Sequence, residues 1–148
     1  MAADEVDQLV ARFTGRNALI GVIGLGYIGL PLSLAAVKGG FQVLGFDNND
    51  QRVAGINQGE SPLKHIGDDR VLAARDNARF EATADFIRLA EPDAIVVCVP
   101  TPLGLHREPD LSFVEDSARA IAATLRRGPA RFIPQRDPPA PPPQRGGP

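Results

Sequence analysis

Gly24, Gly26 and Gly29 interrupt a stretch that is otherwise strongly apolar, with Leu19-Ile20-Gly21-Val22-Ile23 before them and a long aliphatic run after them. Glycine inside a helix or strand is destabilising by roughly 0.5–1 kcal/mol relative to alanine. Three in the pattern Gly24-Leu25-Gly26-Tyr27-Ile28-Gly29 therefore mark backbone that must approach something closely. With a buried strand before it and a helix after it, G-x-G-x-x-G has a physical reading. Gly24 permits the tight turn, Gly26 removes a side chain that would block a pyrophosphate, and Gly29 lets the helix pack close to the strand. The helix N-terminus then offers free N–H groups and a partial positive charge to phosphate oxygens. A tight strand-to-helix turn without a ligand is the alternative use of the same residues.

Asp47 ends the run FQVLGFD, roughly 20 residues beyond the first glycine, where a carboxylate accepts the ribose hydroxyls of an adenosine. An acid there repels a 2′-phosphate, so NAD is expected rather than NADP. Arg52 bears on this choice because arginine can serve a 2′-phosphate, but it lies inside the next helical stretch. Asp47 has a second use, as the cap of that helix.

The elements that must hold these residues follow from the apolar pattern. Residues 19–23, 41–46 and 94–99 are short apolar runs bounded by turn residues, as expected of strands buried on both faces. Between and around them, residues 27–38, 50–59, 68–77 and 111–127 have helical length or spacing. Residues 79–82 read as a brief strand and 86–90 as one or two helical turns. Pro31 falls in the first turn of its helix, where a missing N–H does little harm, and Asp110 stands where it can cap the last helix. Strands alternating with helices give an α/β fold, a doubly wound parallel sheet of Rossmann type. The expected organisation is a helical extension over 1–17, a dinucleotide-binding domain over 18–128 and a proline-rich tail over 129–148.

Composition narrows the function classes. The 148 residues suffice for one domain with a real core, and 43% are apolar. A net charge of −2 sets up no field favouring nucleic acid or an anionic membrane. No apolar run approaches the roughly 20 residues needed to span a bilayer, and the acidic start MAADEVDQLVARFTG lacks the features of a secretory signal. A cytoplasmic protein is the expectation. Cys98, the only cysteine, rules out an internal disulfide and a cysteine-rich metal site. Within AIVVCV it reads as a small buried hydrophobe rather than a nucleophile. His65 and His106 stand apart from any metal-binding pattern and read as loop residues.

IGVIGLGYIGLPLSLAAVKGGFQVLGFDNNDQRV followed by AIVVCVPTPLGLHREPDLSFV resembles the NAD-binding half of the UDP-glucose/GDP-mannose dehydrogenases. The VPTP and REPDLS segments most resemble the branch that oxidises UDP-N-acetylhexosamines. The resemblance covers residues 18–128. It implies that Gly24, Leu25, Gly26, Tyr27, Ile28 and Gly29 hold the pyrophosphate and Asp47 the adenosine ribose, with Arg52 beside the adenosine end. Val99, Pro100 and Thr101 would form the loop that passes the cofactor towards the nicotinamide. Thr101 is equally accounted for as a turn contact between two prolines, and Asp110 as a cap near Arg107 and Glu108 on the same rim. Members of the family assemble as oligomers and convert the C6 alcohol of a nucleotide sugar to a carboxylate by two hydride transfers, the second through a thiohemiacetal on a cysteine of a later domain. No such region follows here, so the resemblance implies no catalytic residue in this chain. Two readings stand: a nucleotide-sugar dehydrogenase of which this is the NAD domain, and a non-catalytic NAD-binding or interaction module.

After Gly128 the sequence changes character, with proline at 129, 134, 138, 139, 141, 142, 143 and 148. Residues 134–148 read as disordered or polyproline II. An end rich in Pro, Arg, Gly and Ala is what GC-rich DNA encodes out of frame, so a frameshifted or truncated gene is expected. Residues 131–133 look too short and too close to proline to form a strand, which would leave the edge beyond residues 94–99 unpaired and prone to aggregation.

Overall fold

The fold was analysed in a computed structural model that describes residues 3–124 and the backbone of residues 131–134. Leu19–Ile23 forms β1, Gln42–Phe46 β2, Phe80–Thr83 β3, Ala94–Val97 β4 and Arg131–Pro134 β5. Among the described residues these make one parallel sheet in the order β3-β2-β1-β4-β5. The helices are α1 (Ala3–Thr14), α2 (Gly29–Lys38), α3 (Asp50–Asn57), α4 (Asp68–Asp76) and α5 (Ser112–Thr124), with a 3-10 turn over Phe86–Ala90.

The strands read as continuous apolar runs because both faces of the sheet are covered. Val22 and Val43 point into a core built with Leu30, Leu34 and Val37 of α2, Ile56 of α3 and Val71 of α4. Their neighbours Ile23 and Leu44 point the other way, onto Leu89, Ile95, Val97 and Ile121 of α5. The alternation is the period-2 pleat of a strand with two buried faces. Burial of this kind stabilises by about 25 cal/mol for each Å² of apolar surface removed from water.

The chain leaves β1 to build β2 and β3 on one side, then returns across β1 to place β4 on the other. The strand order therefore reverses between β1 and β4, and a crevice opens there at the carboxyl ends of the strands. Helix α1 is fixed below that sheet by Asp93, a nearly fully buried carboxylate. It accepts the Leu19 amide at 2.8 Å and pairs with Arg12 of α1 at 2.8 Å. The expected helical extension thus contacts the mouth of β1 directly.

Three expectations are corrected. Arg131–Pro134 does form a strand, in parallel register with β4 from Ala94↔Arg131 to Val97↔Pro134. The β4 edge is paired, so the argument for an exposed, aggregating edge at residues 94–99 does not hold. A proline closes β5 because the last position of an edge strand tolerates a missing donor. Pro134 is accordingly strand rather than the start of an extended tail, and the expected disorder of the remainder lies outside the described residues. Strand β4 also ends at Val97, so Cys98 and Val99 belong to the turn that follows.

Asp93→Ala removes a charge-assisted acceptor from a half-buried amide and from Arg12, a loss of about 1.5–3 kcal/mol. The expected outcome is a lower urea midpoint with an unchanged slope.

Candidate dinucleotide-binding site

A cleft of about 740 Å³ opens at the reversal point between β1 and β4. Gly24, Gly26, Tyr27 and Ile28 form one wall, Asp47, Asn48 and Arg52 a second, and Cys98, Val99, Pro100 and Thr101 a third. Helix α5 closes the far side with Phe113, Asp116, Ser117 and Ala120. Of the expected site residues, Leu25 and Gly29 do not line the cleft. Leu25 is fully buried and Gly29 is packed beneath the turn.

The three glycines are required for different reasons. Gly24 has φ +93°, and a Cβ on it would strike the Cys98 carbonyl oxygen. A Cβ on Gly29 would collide with the Gly24 carbonyl. Both are demanded by the chain's own packing. Gly26 is not left-handed, and the nearest atom to its absent Cβ is Arg52 Nη1 at 3.9 Å. Among the described residues nothing forbids a side chain there; the space opens into the cleft.

Helix α2 begins at this turn without a cap. Ile28 occupies the cap position and makes no side-chain hydrogen bond, and the first turn contains no acidic residue. Elsewhere the helix starts are served by side chains: Asn49 accepts the Arg52 amide for α3, Asp85 accepts Ile87 for the 3-10 turn, and Asp110 accepts Ser112 for α5. Helix α4 lacks a side-chain cap but carries Asp68 and Asp69 in its first turn. The α2 N-terminus alone among these presents its N–H groups and positive dipole end to an open cleft.

Asp47 holds the turn in place. Its Oδ2 accepts the Leu25 amide at 3.0 Å and Arg52 Nη1 at 3.1 Å, and its Oδ1 accepts the Asn49 amide at 2.9 Å. The residue is only 6% exposed. It does not cap α3, a role taken by Asn49 two residues later. Arg52 reaches back from α3 into the cleft wall, with its Nε buried and without a partner among the described residues. The sequence did not point to Gly45, yet a Cβ there would lie 2.6 Å from the Leu25 side chain. Leu25 is plugged into β2 through that gap while its amide is tied to Asp47.

The remaining candidates are distributed around the rim. Thr101 is half-buried on the cleft wall. Cys98 is half-buried rather than buried, and its amide donates to the Ile23 carbonyl at 2.7 Å. Arg107 and Glu108 are exposed on a loop closed by the Leu103↔Pro109 bridge and do not line the cleft. Asp110 is explained as a helix-start acceptor, and its hydrogen bonds from Ser112 hold its carboxyl below the ordinary carboxylate value. Phe113, Asp116 and Ser117 were missed because their helical spacing on α5 gives no signal of a site. Among the described residues no group of three His, Cys, Asp or Glu side chains could hold a metal, and no helix is long and apolar enough to cross a membrane.

If Gly26 is open for a ligand while Gly24 and Gly29 serve the fold, alanine separates them. Gly26→Ala should change stability by less than about 1 kcal/mol. Gly29→Ala should destabilise by about 1–3 kcal/mol or more through overpacking. Urea unfolding of the two variants checks the contrast.

Comparison with known proteins agrees with this geometry. Residues 18–133 match the profile described as UDP-glucose/GDP-mannose dehydrogenase family, NAD binding domain, which carries the resemblance five residues beyond Gly128 and through most of β5. The chain is 40% identical over 111 residues to NDP-N-acetyl-D-galactosaminuronic acid dehydrogenase of Ralstonia nicotianae, covering 74% of this chain and 25% of that one. It is also 40% identical over 115 residues to UDP-N-acetyl-D-mannosamine dehydrogenase of Escherichia coli K12, covering 75% and 26%. Among solved structures it superposes on NDP-N-acetyl-D-galactosaminuronic acid dehydrogenase from Methanosarcina mazei Go1 with a TM-score of 0.72, at 30% identity over 88% of this chain and 30% of that chain. A ternary complex of GDP-mannose dehydrogenase from Pseudomonas aeruginosa gives 0.70 at 30% identity, covering 73% and 25%. The chain thus spans about a quarter of the length of the curated relatives it matches. With an uncapped helix behind a glycine turn, an acid at the end of β2 and this match over most of its length, the chain belongs to the UDP-glucose/GDP-mannose dehydrogenase family, as its NAD-binding domain.

Proposed function

We propose that this chain is the cofactor-binding part of a dehydrogenase that oxidises the C6 alcohol of a UDP-sugar, of N-acetylhexosamine or glucose type, to a carboxylate. The substrate class rests on the relatives, whose names specify N-acetylated hexosamine derivatives. The observation that carries the cofactor role is the uncapped α2 N-terminus beside an unobstructed Gly26. Two glycines are explained by packing; the third and the bare helix end are explained by a pyrophosphate. When bound, NAD supplies the hydride acceptor for the alcohol oxidation.

The chain's own residues divide the binding. Gly26, Tyr27 and Ile28 offer backbone to the phosphates, with Gly24 and Gly29 shaping the turn and Leu25 anchoring it. Asp47 accepts a ribose hydroxyl. A carboxylate has about four lone-pair sites, and three are already used, two of them on Oδ2. The hydroxyl is therefore taken at Oδ1. Arg52 fixes the Asp47 carboxylate and lies beside the adenosine. Val99, Pro100 and Thr101 line the path towards the nicotinamide, at the carboxyl end of β4 as the fold requires.

NADH fluorescence titration tests the site. Asp47→Ala removes a charge-assisted acceptor, so affinity should fall by about 10- to 150-fold, the equivalent of about 1.5–3 kcal/mol. Gly26→Val should abolish binding with the fold retained, which circular dichroism verifies. NADH affinity unchanged in both variants would remove these residues from the cofactor site. We further propose that the chain alone does not turn over a nucleotide sugar, since the thiolate required for the second oxidation is not supplied by Cys98, whose backbone is locked against Gly24. Purified protein incubated with NAD and UDP-N-acetylglucosamine or UDP-glucose should show no rise in absorbance from NADH.

A further inference from the structure

A second concavity of about 440 Å³ lies at the opposite end of α2 from the cofactor cleft. Its floor is apolar, from Leu34 and Val37 of α2 and Ala73 and Ala74 of α4. Three cations stand around it: Lys38 at the end of α2, Arg70 on α4 and Arg79 just before β3. Among the described residues no acid lines it, although the whole chain has 18 acids against 16 lysines and arginines. Two acids neighbour lining residues in sequence, Asp69 before Arg70 and Asp76 before Asn77, and Asp76 is taken up by Arg75 at 2.7 Å.

Local structure accounts for part of this arrangement. Lys38 suits the negative end of the α2 dipole, and Arg79 Nη1 donates to the Gly40 carbonyl at 2.5 Å. Arg70 has no such explanation. It is exposed on the second residue after Asp68, makes no ion pair among the described residues, and belongs to the side of α4 that lines the groove. Three like charges around one concave surface repel one another unless a counter-charge enters. The Asn77 amide at the same rim adds a neutral donor.

We propose that this groove binds a small phosphorylated molecule, with Lys38, Arg70 and Arg79 holding its phosphate groups and the leucine, valine and alanine floor receiving its less polar part. The site is separate from the cofactor cleft, sharing with it only helix α2. The proposal does not depend on the identity of the sugar substrate or on NAD binding.

Inorganic pyrophosphate is the probe, titrated into the ¹⁵N-labelled 148-residue chain at low salt with amide shifts recorded. The glycine turn is the competing site, so the titration is repeated with saturating NADH and in Gly26→Val. The expected result is saturable shifts at Val37, Lys38, Ala73, Ala74 and Asn77 that persist in both backgrounds and weaken as salt is raised. Lys38→Ala with Arg70→Ala, two exposed positions, should weaken binding at least tenfold with the fold intact. Shifts confined to residues 24–29, no saturable shift in the groove, or unchanged affinity in the double variant would overturn the proposal. If NADH fails to bind while the groove shifts saturate, the cofactor reading falls and this one stands.

Discussion

The hydrogen bond from the Leu25 amide to Asp47 Oδ2 joins the two features on which the cleft depends. At 3.0 Å, between a buried amide and a nearly buried carboxylate, it ties the glycine turn to the end of β2. Hydrogen bonds to a charged acceptor are worth about 1.5–3 kcal/mol, and leaving the buried amide unpaired would cost a comparable amount. The same oxygen receives Arg52, and its partner oxygen receives Asn49, so one carboxylate sets the turn, the start of α3 and the arginine on the cleft wall. Leu25 adds a mechanical lock by filling the space left by Gly45. The turn is therefore preorganised before any ligand arrives, which reduces the ordering cost of binding.

That preorganisation explains why the glycine motif mixes structural and ligand-facing demands. A backbone at φ +93° in Gly24 turns the chain sharply enough for Gly29 to sit on the Gly24 carbonyl. This brings α2 against β1 with its N-terminus facing the crevice between β1 and β4. A side chain at Gly24 would strike the backbone that follows β4, and one at Gly29 would push the helix away from the glycine turn. Any side chain at Gly26 would leave the helix where it is and occupy the crevice instead.

Much of this was legible in the sequence because the physics is local. The run Leu19–Ile23 was readable as a two-sided strand, and G-x-G-x-x-G followed by Asp47 as a turn and its acid, since hydrophobic period and glycine spacing act over a few residues. What the sequence did not reveal depends on partners far apart in the chain. Gly45 matters only because Leu25 folds onto it, and Asp93 only because it meets Leu19 and Arg12. Asp47 was a candidate to cap α3, but Asn49 takes that place: it has the extended backbone of a cap and accepts Arg52 N, whereas Asp47 turns inward to Leu25. Strand β5 was missed because its proline and short length argue against an interior strand; the pairing with β4 places that proline at the end, where the objection loses force.

The charge pattern of the cleft bears on which dinucleotide it suits. A pyrophosphate brings negative charge to a cleft that already contains Asp47 and Asp116, compensated by Arg52 and Arg119 respectively. Attraction must then come from the α2 N-terminus, whose N–H groups meet no side-chain acid. With the ribose at Asp47 as proposed, an additional 2′-phosphate would sit beside it, where the one unused lone-pair site is on Oδ1 and the other oxygen is saturated by donors. Admitting it would require Arg52 to leave Asp47 and turn outward. The carboxylate would then lose its charged partner while gaining a like-charged neighbour, and both changes raise the free energy of the complex. A ribose hydroxyl meets neither penalty, because it donates to Oδ1 and leaves the Asp47–Arg52 pair as it stands. In the proposed binding mode, the same carboxylate that fixes the turn also discriminates at the ribose.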